Sequence, residues 1–359
     1  MSERSADRVL RPPGSDAASR SLPRAVTLAV DAMGADFEPA AMVDAIALAA
    51  AADADLRFML FGRSALLDPT ISRLDSSVRD RIDRYECEHY VAMEASPADA
   101  LRRGRGVSMS AALEAVQSGS AQAMLSAGNT GALMALSRSR LGMLPGIERP
   151  ALMTGFPVPE GQVWVLDLGA NIGVDAERLC EFALLGSAAV RAILGRAPRV
   201  GLLNIGRESN KGPDVIREAA RGCQQIDINF VGFIEGHDVF SGRADVVVCD
   251  GFAGNVLLKS AEGVIEMLLA EVEQSARQGI VRFPVRRLAR RLRERFDPAR
   301  HNGASLLGVD GIVMKSHAHA SIEALTHALG VAALEVRRGM LPALQRQLWA
   351  GERPALGDG

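Results

Sequence analysis

The sequence has few aromatic residues, no paired cysteines and no strong excess of either charge. Phe, Tyr and Trp make up 4% of the 359 residues, whereas alanine and glycine are abundant, which suits close packing of helices on a sheet. The formal net charge of -2 argues against a general nucleic-acid-binding protein, because such domains normally carry a basic excess. The four cysteines are scattered without a CxxC pair, so we expect neither a disulfide framework nor a zinc site, and a reducing cytosol is the default.

Long apolar runs are also missing. No run reaches the roughly 20 residues needed to span a bilayer, and the N-terminus has no signal-peptide core. We therefore expect a cytoplasmic protein. Residues 1–24 mix Ser, Arg, Pro and Asp without periodicity, which is typical of a disordered extension. We expect residues 25–340 to form one α/β domain with a basic helical insertion at about 275–300, followed by a C-terminal tail over 341–359.

Apolar strands alternate with amphipathic helices along the chain. The pattern predicts strands over 25–31, 56–61, 163–167, 200–205, 246–249 and 311–315, and helices over 39–52, 108–118, 132–143, 176–194 and 321–338. Such alternation indicates a mostly parallel, doubly wound α/β sheet. Ligands of these sheets bind outside the carboxyl ends of the strands, so the turns at those ends are the candidate site.

The turn after the strand 246–249 carries the clearest signal. Asp250 ends the strand, Gly251 and Gly254 allow backbone angles that a side chain would forbid, and Asn255 opens the next helix. Free N–H groups and the positive end of the helix dipole favour an anion there, which predicts a phosphate site. The alternative is an ordinary turn in which Asn255 is only the N-cap.

Four further turns share this format of small polar residues and glycine before a helix. They contribute Asp31 and Gly34, then Ser126, Gly128, Asn129, Thr130 and Gly131, then Asn171, and then Lys211. We expect the turns to end at the same sheet edge and to form a composite pocket, although Asp36 could equally cap the next helix and Lys211 could be a plain exposed side chain. None of them matches a P-loop or a GxGxxG fingerprint, which disfavours nucleotide binding by those routes.

Six motifs together resemble those of the bacterial phosphate acyltransferase family, PlsX. They begin at Asp31, Ser126, Asp167, Gly201, Asp250 and Gly303, and they follow in order over about residues 26–336. The resemblance implies an enzyme that moves a long-chain acyl group from acyl carrier protein to inorganic phosphate, giving acyl phosphate for phospholipid synthesis. It also implies a three-layer αβα sandwich similar to phosphotransacetylases and β-decarboxylating dehydrogenases, a homodimer, and no cofactor.

Residue by residue, the resemblance implies that Lys211 and Asn255 take part in catalysis. Asp250 and the turn from Ser126 to Gly131 match positions that line the site. Phosphate is already nucleophilic at neutral pH, so we expect helix N-termini and Lys211 to bind it, while Asn255 and backbone N–H groups stabilise the oxyanion. The chain departs from the family pattern where it has Ala35, Phe37, Gly173 and Ala318, which leaves Lys211 and Asn255 as the main catalytic candidates.

A basic stretch over 282–296 has apolar residues at roughly helical spacing. Such a helix can lie on an anionic membrane, dock an acidic protein or cover the core with a solvated face. Family resemblance favours the first two, so Arg286, Arg287, Arg290 and Arg291 are candidate contacts with carrier protein or membrane. The charge run of Arg102, Arg103 and Arg105 is expected to be solvated surface.

His317 and His319 form a His-x-His pair for which the sequence offers no third ligand of suitable spacing, so we expect polar histidines near the pocket rim and no metal site. Two alternatives to the acyltransferase remain open on the sequence. One is a short-chain phosphotransacetylase that uses acetyl-CoA, and the other is a non-catalytic relative that binds acyl carrier protein.

Overall fold

The computed structural model describes residues 24–277, 287, 290–292, 295–296 and 302–350. The predicted N-terminal extension, apart from Arg24, and most of the predicted basic helix lie outside these residues. No helix in the described ranges is long and apolar enough to cross a membrane.

The described chain contains one eleven-stranded sheet. Its strands are β1 (Val26–Asp31), β2 (Leu56–Gly62), β3 (Ile82–Glu86), β4 (Ala123–Ser126), β5 (Ala151–Val158), β6 (Gly161–Leu166), β7 (Arg199–Leu203), β8 (Asn229–Ile234), β9 (Val246–Val248), β10 (Ala304–Leu307) and β11 (Ile312–Lys315). Their spatial order is β3-β2-β1-β4-β11-β10-β5-β6-β9-β7-β8.

Helices cover both faces of the sheet. They are α1 (Pro39–Ala52), α2 (Ser64–Ile71), α3 (Ser76–Arg79), α4 (Pro97–Arg103), α5 (Ser108–Gln117), α6 (Thr130–Leu141), α7 (Ala176–Leu194), α8 (Asp214–Cys223), α9 (Gly251–Arg277), α10 (Ile322–Arg337) and α11 (Met340–Ala350). The predicted bounds of α1 and α7 are confirmed to the residue, and α11 occupies the start of the predicted C-terminal tail.

Local sequence signals fix several helix ends. Asp175 caps α7 by accepting the N–H of Arg178 over 2.8 Å, and Gly195 ends the helix with a φ of 69° that suits glycine. Asn129 and Ser321 cap α6 and α10 in the same way. Glu38 precedes α1 without a side-chain cap, so Asp36 does not cap that helix.

The core lies on both sides of the sheet. One apolar cluster covers a single face along nearly the whole sheet and takes in α4, α5, α6 and the start of α9. Two clusters share the opposite face, one with α1 and α10 and the other with α7, α8 and α11. Alternate residues of each strand belong to opposite faces, as the two-residue period of a strand requires. The α/β sandwich with a mostly parallel sheet is therefore confirmed.

Strand direction reverses in the middle of the sheet. The pairs β11–β10, β10–β5 and β5–β6 are all antiparallel, so β6, β9, β7 and β8 run opposite to β1, β4 and β11. The turns that follow β1 and β4 therefore lie at one edge, and those that follow β6, β7 and β9 lie at the other. The expectation that all these turns end at the same edge is wrong, because the antiparallel strands reverse the second half of the sheet.

Candidate active site

A cavity of about 350 Å³ lies on the sheet face that α6 and α9 cover. Its walls come from both halves of the sheet. Apolar lining is supplied mainly by Leu152, Phe156, Leu168, Leu258 and Ile265, and polar lining by Thr130, Thr154, Asn255, Lys259, Glu262, Lys315, Ser316 and His317. Such a combination of apolar walls and a few polar groups is typical of a ligand site.

The two halves meet in this cavity because α9 crosses the sheet face. The helix starts beside the carboxyl end of β9, and Glu262 on its third turn lies 3.8 Å from His317, which follows the carboxyl end of β11. Thr130 at the start of α6 and Asn255 near the start of α9 thus line one space, although their helices begin at opposite sheet edges.

Asn255 presents an unoccupied side chain to the cavity. It lies on the second turn of α9, which begins at Gly251, so the alternative that Asn255 is the N-cap is wrong. Its Cβ packs close to Gly169, whose φ of 108° is a glycine conformation. In the described part of the chain, the side-chain amide makes no hydrogen bond and remains available to a ligand.

The carboxylate of Asp250 is hydrogen-bonded to the protein's own backbone. It accepts N–H groups from Gly173 over 2.7 Å, Val174 over 3.0 Å and Phe252 over 2.8 Å. It therefore joins the loop after β6 to the start of α9. Asp250 does not line the cavity.

The loop after β6 is built around a second buried carboxylate. Asp167 accepts hydrogen bonds from the backbone N–H groups of Leu152, Leu168, Ala170 and Asn171. The side chain of Asn171 donates to Asp167 over 3.0 Å and to the carbonyl of Pro150 over 2.8 Å. Asn171 is 4% exposed, so its amide orders this loop.

Gly251 and Gly254 allow α9 to pack against this loop. A Cβ on Gly251 would lie 2.3 Å from the carbonyl oxygen of Asn171, and one on Gly254 would lie 1.9 Å from that of Asp167. These glycines permit close backbone packing, and Gly251 also lines the cavity.

In the turn after β4, as in the loops after β6 and β9, some residues order the backbone and others line the cavity. Asn129 accepts the N–H of Ala132 over 2.8 Å and donates to the carbonyls of Met93 and Ala95, so its side chain caps α6 and fixes the 93–95 loop. Of the predicted residues in this turn, Thr130 lines the cavity.

The glycines of the first two turns serve packing. A Cβ on Gly34 would lie 2.5 Å from the carbonyl oxygen of Val91, one on Gly128 would lie 2.9 Å from Met109, and one on Gly131 would lie 3.1 Å from Pro97. At Gly34 the φ of 73° independently favours glycine.

Three neighbouring strands end in Asp31, Ser126 and Lys315, which are in register across β1, β4 and β11. Ser126 Oγ donates to Asp31 Oδ2 over 2.7 Å. Burial raises the pKa of Asp31 to about 6 and lowers the pKa of Lys315 to about 8, because a low-dielectric environment disfavours the charged form of either group. Lys315 lines the cavity, whereas Asp31 and Ser126 lie behind it.

A connected set of polar groups in the cavity lining consists of Lys259, Glu262 and His317. Lys259 Nζ pairs with Glu262 Oε2 over 2.8 Å, and Glu262 Oε1 lies 3.8 Å from His317 Nε2. Burial lowers the pKa of His317, which favours its neutral form. His317 lines the cavity with a side chain that is 53% exposed, while His319 is 85% exposed and lies 3.4 Å from Asp36.

Lys211 does not line the cavity. It is an exposed residue of the β7–α8 loop, and its carbonyl accepts a hydrogen bond from Asn204 Nδ2 over 3.1 Å. Because β7 and β9 are parallel neighbours, this loop and the Asp250 turn share a sheet edge. The structure therefore places Lys211 on the same edge as the start of α9 but outside the cavity.

The structure shows the contacts of the four residues at which the chain departs from the family pattern. Ala35 and Phe37 pack against the apolar cluster under α1 and α10, and the carbonyl of Ala318 accepts the N–H of Asp36 over 3.1 Å. Gly173 has a φ of 69° and donates its N–H to Asp250.

Part of the basic segment is described. Arg287, Arg290 and Arg291 are helical and exposed, whereas Arg286 lies outside the described residues. Arg295 donates to the carbonyls of Val158 over 2.7 Å and Pro159 over 2.9 Å, which places this part of the segment beside the β5–β6 turn.

Glu235, His237 and Asp238 form a group of possible metal ligands away from the cavity. Asp238 is buried and bound by Arg207 Nε over 3.0 Å, and Arg207 also lies 3.4 Å from Glu235. The Arg207 guanidinium therefore places a positive charge beside the carboxylates of Glu235 and Asp238.

Comparison with known proteins identifies the chain. A family model described as fatty acid synthesis protein matches residues 26–341. The phosphate acyltransferase of Pseudomonas paraeruginosa is 46% identical over 326 residues, which cover 89% of this chain and 97% of the relative. That of Vibrio campbellii is 43% identical over 321 residues, covering 88% and 94%. The chain belongs to the phosphate acyltransferase family.

Membership of the phosphate acyltransferase family makes the chain an acyltransferase, as the six motifs indicate. A phosphotransacetylase from Streptococcus pyogenes has the same fold, with a TM-score of 0.61 and 15% identity over 90% of this chain and 96% of that one. A 4-hydroxythreonine-4-phosphate dehydrogenase from Klebsiella pneumoniae gives a TM-score of 0.53 and 12% identity over 87% and 100%. Both predicted fold relationships are confirmed.

The sequence missed much of the cavity wall of this acyltransferase. Leu152, Thr154 and Phe156 come from β5, which was not predicted, and Lys259 and Glu262 lie on the predicted helix without having been selected. Lys315 ends the predicted strand over 311–315, three residues before the family departure at Ala318, and that position was the available signal for it.

Proposed function

We propose that this acyltransferase moves a long-chain fatty acyl group from acyl carrier protein to inorganic phosphate, giving acyl phosphate for phospholipid synthesis. The observation that carries the proposal is the unpaired amide of Asn255 in a cavity whose other walls are largely apolar. An apolar wall suits an acyl chain, and a donor without a protein partner suits an oxyanion. Family membership supports the same reaction.

On this proposal, an oxygen of phosphate attacks the thioester carbonyl carbon, and the carbonyl oxygen becomes an oxyanion. The intermediate then breaks its carbon–sulfur bond, which releases the thiolate of the carrier and leaves acyl phosphate. Asn255 Nδ2 donates to the oxyanion. Such a donor lowers the barrier because it is already oriented where negative charge develops.

Positive charge for phosphate comes from helix starts and lysine. Thr130 at the start of α6 lines the cavity, and helix N-termini favour anions. Lys211 acts from the adjoining sheet edge on this proposal, where its exposed ammonium would attract phosphate toward the start of α9. Asp250 and Asn171 support the site by ordering the loops that carry it.

The proposal includes a homodimer and a peripheral contact with anionic membrane in the cytoplasm. Five apolar side chains of α9 are exposed at helical spacing: Phe252, Val256, Val264, Met267 and Leu268. An exposed apolar row of this kind, interrupted by Ser260 between Val256 and Val264, suits a second copy of the chain. The arginines at 286, 287, 290 and 291 suit acidic carrier protein or anionic lipid by their charge. Light scattering on the purified chain tests the dimer, and a monomer would contradict it.

The deciding experiment measures free thiol released from palmitoyl acyl carrier protein, with and without inorganic phosphate. We expect phosphate-dependent release. Acetyl-CoA is the control donor, and a preference for it would favour a short-chain phosphotransacetylase. A folded protein that binds the carrier but releases no thiol would contradict the proposal.

A further inference from the structure

The chain contains only three lysines, Lys211, Lys259 and Lys315, and two of them line the cavity. Their surroundings differ sharply. Lys259 is neutralised by Glu262 at 2.8 Å. Lys315 has no carboxylate within ion-pair distance in the described ranges, and its Nζ instead contacts the carbonyl oxygens of Ala127, over 3.4 Å, and Ser316.

The nearest acidic groups do not neutralise the charge of the Lys315 ammonium. Asp31 and Asp36 act on Lys315 only at longer range. Asp31 already accepts hydrogen bonds from Ser126 Oγ over 2.7 Å and from the N–H of Met33 over 3.2 Å. A partly buried ammonium without a direct counter-ion is destabilising. An anion that enters the cavity would compensate for it.

The start of α6 supplies further donors at the same end of the cavity. Asn129 caps the N–H of Ala132, but the N–H groups of Thr130 and Gly131 find no acceptor in the portion of the chain that the structure describes. The hydroxyl of Thr130 likewise has no partner there, and Thr130 lines the cavity with Lys315. The β4–β11 pairing, in which Ser126 faces Lys315, holds these groups on neighbouring strand ends.

We infer that Lys315 binds inorganic phosphate inside the cavity, together with Thr130 at the start of α6. This inference rests on the proposed function and adds a phosphate-binding residue to it. Lys315 then holds the phosphate that attacks, while Asn255 faces the carbonyl oxygen of the thioester. A charge-assisted hydrogen bond of this kind contributes enough that its loss should weaken phosphate binding on the order of 10-fold to 100-fold.

The first test titrates inorganic phosphate into the protein in a calorimeter, without any acyl donor. We expect Lys315→Met to weaken phosphate binding by that factor, Lys315→Arg to retain most of it, and Arg57→Met to bind as the wild type does. Arg57 is exposed on β2 and serves as the matched loss of one positive charge. Phosphate affinity unchanged in Lys315→Met would overturn the inference.

The second test separates free phosphate from the phosphodiester on the prosthetic arm of a carrier. Steady-state assays with palmitoyl acyl carrier protein should show a higher KM for phosphate in Lys315→Met and little change in the KM for the carrier. The opposite pattern would assign Lys315 to the donor and overturn the inference. Lys315→Met removes a partly buried ammonium that has no carboxylate partner among the described residues, so its melting temperature should not fall. An unchanged melting temperature excludes misfolding as the cause.

The two proposals can fail separately. If the wild type releases no thiol, the proposed function fails, yet the calorimetric comparison still decides whether Lys315 binds phosphate. If the wild type is active and Lys211→Met alone weakens phosphate binding, the function stands and the assignment to Lys315 is wrong.

Discussion

The backbone N–H of Gly173 donates to Oδ2 of Asp250 over 2.7 Å, which links the loops that follow β6 and β9. Asp250 also accepts N–H groups from Val174 and Phe252. Its acceptor sites thus face the protein's own backbone, and the carboxylate holds the two loops together.

Asp250→Ala should therefore destabilise the fold. Three backbone N–H groups lose their acceptor, and we expect the free energy of unfolding to fall by about 1–3 kcal/mol, since water replaces part of the loss. Urea unfolding measures this change. Asp83→Ala, at an exposed position on β3, should stay within about 0.5 kcal/mol of the wild type. Wild-type stability combined with weaker phosphate binding would show that Asp250 is a ligand-binding residue after all.

Asn255→Ala tests the proposed role of the Asn255 amide as an oxyanion donor. The side chain holds no hydrogen bond to any described residue, so we expect an unchanged melting temperature. Turnover should slow on the order of 100-fold to 1000-fold, because a preorganised oxyanion donor is lost. Thiol release at saturating phosphate measures it, with Asn229→Ala at the exposed start of β8 as the control. Turnover close to normal would contradict the role given to Asn255.

Glu335 should make stability depend on pH. It is 3% exposed on α10, Ser305 Oγ is hydrogen-bonded to its Oε1, and burial raises its pKa to about 7. The folded state then holds this proton more tightly than the unfolded state. Its contribution to stability is full below the ordinary carboxyl pKa and is lost as the pH rises toward about 7.

Glu335→Gln removes this loss because glutamine stays neutral. We expect the variant to be more stable than the wild type at pH 8 by a few kcal/mol, at about 1.4 kcal/mol for each pKa unit, and the difference to shrink at pH 5. Urea unfolding at the two values measures it. Glu266→Gln, exposed on α9, is the control, and an equal gain at both pH values would exclude titration of Glu335 as the cause.

The proposed contact with anionic membrane predicts that reversing the charge at Arg287, Arg290 and Arg291 weakens binding to anionic vesicles. Each basic residue near an anionic surface contributes about 1 kcal/mol, so the triple change to Glu should abolish sedimentation with anionic vesicles at physiological salt. The control reverses Arg57, Arg73 and Arg79, which are exposed in the other half of the chain. Equal pelleting with vesicles of neutral lipid would contradict an electrostatic contact.

The sequence predicted the regular helices and buried strands well because their signals are local. α7 has an N-cap at Asp175, a glycine at 195 and an apolar face between them, and no tertiary information is needed to place it. β5 was not predicted because its sequence contains Gly155 and Pro157, and both residue types are disfavoured in strands. The reversal of the sheet was missed with it, since that reversal depends on how β5 and β10 pair.

The candidate site was predicted in part for a related reason. Asn255 was found because it belongs to a recognisable turn and family motif, and it lines the cavity. Lys211 belongs to an equally recognisable turn, but the sequence could not show that its strand points away from β11. Lys315 was passed over because the sequence does not show that its strand pairs with β4, which brings Lys315 beside Ser126 and the start of α6.

The reversed sheet also sets a length scale. Because α6 and α9 start at opposite edges, the span between Thr130 and Asn255 depends on how many residues the central strands contain, at about 3.3 Å for each residue. Adding two residues in register to every central strand would move the two helix starts apart by about 7 Å. The length of the central strands therefore sets the distance between the starts of α6 and α9. Surface loops can vary in length without altering that distance.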